Sequence, residues 1–295
     1  MRRTENKEWG RRSSRPWPLA RGLLWLSVTA GAAVPAQETQ EFEAWARAVE
    51  MEESGESLEP GDERYVRDDW YVRIGVIGGA VPGYLGSSHY EGSYAPRAKI
   101  VWRDRVFLND RQLGVNAYKD DRLAVGPFLR YTGGRSDSND GLEGMGHVDR
   151  TLMAGGFLNY RLGPARFKSE VRTDVLDEGQ GTLAIARLGA RLPLRAPLFN
   201  VYLSTTWASA EHMRTFFGVD AGQSVRAGLD EYDADAGFRD VAVSLSGGHA
   251  FTERWSVGAQ VEFQHLLGDA ADSPLVEERG SPDQLVIGVG LNYTF

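Results

Sequence analysis

Ser209, Glu211 and His212 lie in one short stretch and offer a nucleophile, an acid and a base. A Ser-His-acid set performs acyl transfer when its members converge in space. Adjacency along the chain does not supply that geometry, so these residues are read as the start of a loop. The five histidines are His89, His147, His212, His249 and His265. No pair of them forms HxxxH or HExxH, the spacing that turns two imidazoles toward one metal. His89 and His147, with Glu91 and Asp149 nearby, could meet a metal only through glycine-rich segments, and are read as solvated. Ser136-Asp137-Ser138-Asn139-Asp140-Gly141 has the composition of a calcium loop but lacks its closing bidentate Glu; such residues commonly build Asx-turns. Gly218-Val219-Asp220-Ala221-Gly222-Gln223 lacks the GK[ST] ending of a phosphate loop. The chain has no cysteine and a net charge of −8. That excludes thiolate metal sites and gives nucleic acid no overall basic surface. The expectation is a protein with no catalytic residue, no cofactor and no metal.

A second set of charges is more regular. From Ala165 to Val175, one side carries Ala165, Phe167, Ser169, Val171, Thr173 and Val175, and the other carries Arg166, Lys168, Glu170, Arg172 and Asp174. Successive strand side chains point to opposite faces. An Arg or Lys facing the mid-bilayer costs about 2–4 kcal/mol, so the charged wall must face water. The same parity puts Arg73, Lys99, Arg130, Arg187, Arg191, Asp240 and Glu262 on the wet side. In an open pore the basic excess would favour anions. The other reading is a mutually neutralising network that plugs and stiffens a barrel, and the sequence leaves both open.

The elements that must position these charges are strands. Leu285 to Phe295 alternates large apolar residues (Leu285, Ile287, Val289, Leu291, Tyr293, Phe295) with small or polar ones (Val286, Gly288, Gly290, Asn292, Thr294). The alternation predicts strands at 70–79, 95–102, 105–109, 112–118, 122–132, 150–160, 164–175, 182–193, 199–208, 238–249, 254–266 and 285–295. That is about twelve, or ten if the two short ones are not separate. Links on one side are long (80–94, 133–149, 176–181, 209–237, 267–284), except the two-residue link Asp110-Arg111, and those on the other are tight. This sorting is the arrangement of an outer-membrane barrel, with long loops outside and short turns in the periplasm. The predicted fold is therefore all-β: a single antiparallel up-and-down transmembrane β-barrel over 70–295, in contact with outer-membrane lipid.

Two segments precede it. Residues 1–36 read as a secretory signal peptide: a basic start, the apolar run Gly22–Ala33, then Val34-Pro35-Ala36 before a cut at Gln37. Its removal takes away seven basic and two acidic residues, moving the net charge from −8 to −13. Residues 37–69 hold twelve acidic residues against Arg47, Arg64 and Arg67 and read as an acidic, largely disordered periplasmic segment.

Several stretches resemble the MltA-interacting protein (MipA/OmpV) family. They are Gly78-Gly79-Ala80-Val81-Pro82-Gly83-Tyr84-Leu85-Gly86 with Tyr94-Ala95-Pro96, the glycine-rich run Gly133–Gly146, Phe216-Phe217-Gly218-Val219 followed by Gly228-Leu229-Asp230-Glu231-Tyr232, and Leu266-Leu267-Gly268-Asp269-Ala270-Ala271-Asp272-Ser273-Pro274 before the final strand. The likeness covers 70–295 and leaves out 37–69. It implies a barrel in the outer membrane of a Gram-negative cell, acting as a scaffold between a lytic transglycosylase and a peptidoglycan synthase; other members are discussed as porin-like or small-molecule-response proteins. The alternative function is thus a narrow porin-like channel, with an anion preference. The terminal Tyr293 and Phe295 resemble the signature that the barrel-assembly machinery reads during insertion. The family supplies no catalytic motif to carry over.

Overall fold

In the computed structural model, residues 66, 69–192 and 198–295 are described. The signal-peptide reading of 1–36 and nearly all of the acidic segment 37–69 lie outside them. The strands are β1 (Trp70–Pro82), β2 (Tyr90–Trp102), β3 (Val106–Asn109), β4 (Gln112–Val115), β5 (Tyr118–Lys119), β6 (Leu123–Thr132), β7 (Thr151–Leu162), β8 (Ala165–Asp174), β9 (Thr182–Leu192), β10 (Leu198–Ala208), β11 (Gly237–Ala250), β12 (Trp255–Leu266) and β13 (Asp283–Thr294). Each pairs antiparallel with its sequence neighbour except β4 and β5, which both pair with β6, and β1 pairs with β13.

β4 and β5 together make one stave. β4 meets β6 through Gln112↔Arg130 and Gly114↔Phe128, and β5 meets the same strand through Tyr118↔Val125. The register slips by one residue between them, as at a bulge. Backbone crowding there excludes any side chain at Gly126: a Cβ would sit 1.7 Å from the Val115 carbonyl oxygen. With this join the sheet closes into a barrel of twelve staves, so both short strands count. The first hairpin is longer than its glycines and proline suggest. Pairing runs to Pro82↔Tyr90, which shortens the expected 80–94 loop.

Polarity is inverted relative to a water-soluble protein. Val171, Leu188, Leu203, Val243, Val261, Phe263 and Val289 point outward and are exposed. Contiguous apolar surface on this scale is untenable in water and suits hydrocarbon. Lys99, Arg130, Lys168, Glu170, Arg172, Arg187, Asp240 and Glu262 are buried inside. Aromatic side chains sit at the short-turn rim, where Trp70 faces Trp102 at 6.2 Å and Trp255 faces Tyr293 at 5.0 Å. Tyr131 and Trp207 stand near the other rim, so both bilayer interfaces have aromatic anchors.

Inside the short-turn end, on the β1–β7 side, Tyr71, Val101, Phe107, Ala124, Phe128 and Phe157 form an apolar cluster. Phe107 and Phe157 meet edge to face at 5.7 Å. Among the described residues no helix is long and apolar enough to cross a membrane; the strands make the crossing. Val261→Arg on the outer wall of β12 should lower unfolding free energy in vesicles by about 2–4 kcal/mol, measured by urea titration of the reconstituted barrel.

Candidate functional site

The lumen and its two mouths hold the polar side chains that the lipid-facing wall excludes. At the long-loop end, three short helices fold over the opening: α1 (Ala210–Phe217), α2 (Ala221–Ala227) and α3 (Pro274–Arg279). Ser209 caps α1, accepting from the His212 backbone N–H; Asp220 and Gln223 form a reciprocal capping box on α2; Ser273 caps α3, whose first residue is Pro274. These caps satisfy backbone donors that the short helices leave open. Phe217, Met213, Leu266, Ala270 and Val276 pack beneath, and Tyr84, Leu142, Met145, Val219, Leu229 and Leu275 form a second apolar cluster.

Side-chain bonds to backbone carbonyls bind the loops together. Arg279 donates to the carbonyls of Gly141, Glu143 and Ala227. Gln180 Nε2 bridges the carbonyls of Gly133 and Asp149, each at 2.8 Å. Asn139 donates to Gly83, and Ser273 Oγ to Phe217 at 2.6 Å. Arg135 is buried, donates to the Phe216 carbonyl at 2.9 Å and lies over the Phe216 ring. Burial pulls its guanidinium down to about 10, against a smaller opposing effect of Tyr84. Burial raises the Tyr232 phenol to about 12, helped by Asp269, Asp272, Glu277 and Asp235.

The sequence motifs with chemical composition are structural here. Ser209 Oγ accepts from the backbone of Thr182 and His212. His212 Nδ1 lies 2.9 Å from the Gln180 carbonyl oxygen, which can only accept, and its Nε2 faces Arg239 Nη1 at 3.1 Å. Ser209 and the His212 ring therefore share no proton path. In the Ser136–Gly141 stretch, Ser136 and Ser138 bond to each other at 2.8 Å. His147 contacts Asp149, and His265 contacts Asp283. Among the described residues no cluster of three or more His, Asp or Glu could hold a metal.

Below the cap lies a charged girdle. Arg172 Nη1 donates to Glu170 Oε1 at 2.8 Å, with both side chains buried. Arg130 and Arg187 also act electrostatically on Glu170, and Arg187 is in addition attracted by Glu262 and Asp240. Arg130 bonds Gln112 across the closing seam. Lys168 stands directly opposite Arg187 in register and lies 5.8 Å from the Tyr202 ring centre, a cation–π contact that softens the like-charge pairing. Lys99 is buried on β2 opposite Asn109.

Asp174 is at the upper rim instead. Its carboxylate accepts from the Thr151 hydroxyl and from the backbone of Leu176, Glu178 and Gln180, so it shapes the β8–β9 loop. Arg73, Arg166 and Arg191 lie at the short-turn mouth, where with Arg97 they line a cavity of about 230 Å³.

Two inward arginines were missed by the sequence reading. Arg97 shares the parity of Lys99 and could have been found by it. Arg239 could not, because Thr206 pairs with Asp240 and Trp207 with Phe238, leaving Arg239 as the bulged residue. The bulge turns Arg239 and Asp240 both inward, 2.7 Å apart. The available signal was an arginine on the lipid parity beside Phe238, which alternation alone cannot accommodate.

Water is largely excluded from the girdle: Lys168 and Glu170 each expose 1% of their surface. Between girdle and cap, a cavity of about 70 Å³ is lined in part by Arg172, His212 and Arg239. An open pore would leave such side chains wet.

Residues 74–295 match a family model described as MltA-interacting protein MipA. No curated protein matches the chain. Similar solved structures include Salmonella typhi OmpF in complex with daunomycin (14% identity, 75% of this chain and 56% of that one, TM-score 0.30). A porin is 9% identical over 77% of this chain and 100% of that one, with a TM-score of 0.32. The translocator domain of the autotransporter NalP from Neisseria meningitidis is 10% identical over 89% and 100%, with a TM-score of 0.34. The chain thus spans about half the length of the OmpF chain it matches, and strand register alone establishes the closure described above.

Glu170→Gln removes the carboxylate on which three guanidinium groups act. It should destabilise the barrel by about 3–5 kcal/mol, as for a buried pair stripped of one partner, seen as a lower temperature of heat-modifiable gel migration.

Proposed function

The chain belongs to the MltA-interacting protein MipA family, and on that premise we propose that it is a non-conducting outer-membrane scaffold for peptidoglycan-remodelling enzymes. The barrel sits in outer-membrane lipid with its short turns toward the periplasm. The observation that supports a scaffold over a channel is the near-complete burial of the girdle at Lys168 and Glu170. A plugged lumen leaves the two faces as the working surfaces, and the periplasmic one is where cell-wall enzymes act.

Docking is assigned to the short turns 103–105, 120–122, 163–164 and 251–254, together with the acidic segment 37–69. The excess of acid in that segment suits a basic partner surface. A lytic transglycosylase is the first candidate partner, following the family's description, and a peptidoglycan synthase the second. Neither role requires a catalytic residue or a cofactor in this chain. Tyr293 and Phe295, edge to face at 4.9 Å at the end of the chain where β13 pairs with β1, are proposed as the feature read by the barrel-assembly machinery, and residues 1–36 as a signal peptide cleaved after Ala36.

Deleting 37–69 should weaken capture of a lytic transglycosylase by the purified barrel; unchanged capture removes the segment from the docking surface. In planar bilayers the intact protein should give no conductance steps. Steps whose anion selectivity falls on Arg166→Glu and Arg172→Glu would replace the scaffold with the anion-preferring porin-like channel.

A further inference from the structure

Arg135 is fixed in the cap by its backbone. It exchanges two backbone hydrogen bonds with Val148, at 2.9 and 2.8 Å. A Cβ at the neighbouring Gly134 would stand 2.1 Å from the Val148 carbonyl oxygen, so the crossing is as tight as glycine allows. From this anchor the side chain turns inward. Its guanidinium donates to the Phe216 carbonyl and lies over the Phe216 ring, and Phe216 lines the cavity of about 70 Å³ between girdle and cap.

No carboxylate answers this charge among the described residues. Asp149 and Glu178 line an outer cleft with Arg135, yet the group that attracts its guanidinium is Tyr84. Burial raises the Tyr84 phenol above its usual value, so at neutral pH the phenol is uncharged and cannot neutralise an arginine. Arg172 and Arg239 share the inner cavity, but each bonds a carboxylate of its own, Glu170 and Asp240. Two buried donors in the same wall also lack acceptors. Arg135 Nε and Thr132 Oγ1 have no hydrogen-bond partner among the described residues, and both residues line the cavity. Leaving such donors unmet costs free energy, and leaving a buried charge unmet costs more.

We propose that this cavity holds one small monovalent anion, chloride, between Arg135 and Thr132. A halide accepts from both the N–H and the O–H, and its single negative charge matches the single unanswered guanidinium. A dianion would leave one charge over. Water would serve the two donors but not the charge. Leu85, Met153 and Leu183 complete the lining, which suits a large, weakly hydrated ion. The ion would fasten the loop that carries Arg135 to α1 through Phe216. The site lies at the end opposite the short turns, so it is independent of the scaffold reading.

Thermal unfolding of residues 37–295 in detergent tests it, with chloride replacing gluconate at constant ionic strength. Gluconate is too bulky for the cavity. The unfolding midpoint should rise by roughly 2–6 °C once chloride is about tenfold above its dissociation constant. Arg135→Gln should abolish the dependence. Thr132→Val keeps the charge but removes one donor, and should weaken the apparent affinity roughly fivefold. Arg105→Gln removes an exposed charge at the far rim and should leave it within about twofold. A second measurement needs no variant that might misfold: crystals grown from protein refolded in bromide should show an anomalous peak beside Arg135 and Thr132. A midpoint unmoved by chloride, or no bromide peak at that place, assigns the cavity to water and overturns the proposal. So does a chloride dependence that survives Arg135→Gln, which puts the ion elsewhere.

Discussion

A strand edge in hydrocarbon has no water to bond, so every backbone N–H and C=O in the span must find a partner on a neighbouring strand. For this chain the requirement concentrates at one seam, where two short strands and a register slip complete the ring against β6. Gly126 lets the backbones approach there, and Arg130 reaching Gln112 binds the same seam from inside. Once the ring is closed, alternation separates the chain into a lipid-facing set and an enclosed set, and the rest of the structure follows from that separation.

The enclosed set cannot be a simple core. Parity admits to the interior whatever the outer wall rejects, and the interior then has to neutralise it. On the β1–β7 side the solution at the short-turn end is aromatic packing around Phe107 and Phe157. Midway it is the girdle, with Glu170 at the focus of Arg130, Arg172 and Arg187. At the long-loop end it is a folded cap, held by arginine and amide side chains that bond the carbonyls of several loops. Each solution shields its groups from water by a different means. Together they account for a lumen filled with side chains despite a stave number between the filled eight-stranded barrels and the open porins.

Rigidity has a functional meaning in this arrangement. Helix caps and buried clusters hold the folded cap over the long-loop end, and the proposed scaffold role rests on that closure. Chemistry is then left to the two faces. The short-turn face combines an aromatic rim with a cavity lined by several arginines, whereas the long-loop face is closed over by its own loops.

Strand positions, wall assignment and loop sorting were legible in the sequence because period-two alternation is local: each residue's neighbours reveal which wall it occupies. The four stretches that resemble the family turned out to build much of the cap, yet nothing in them announced three short helices. Glycine-rich composition says only that a loop is permitted to turn sharply. Ser209 and His212 looked like chemistry and proved to be a helix cap and a buried ring under the cap, roles set by backbone groups more than twenty-five positions away. Arg239 was hidden because a bulge inverts parity at a single point. By itself, then, the sequence determined the odd and even positions that separate the two walls wherever no bulge intervenes. Only the tertiary structure decided which inward charges meet one another, whether the interior is filled, and where four arginines share one cavity, because closing the ring brings together strands far apart in the chain.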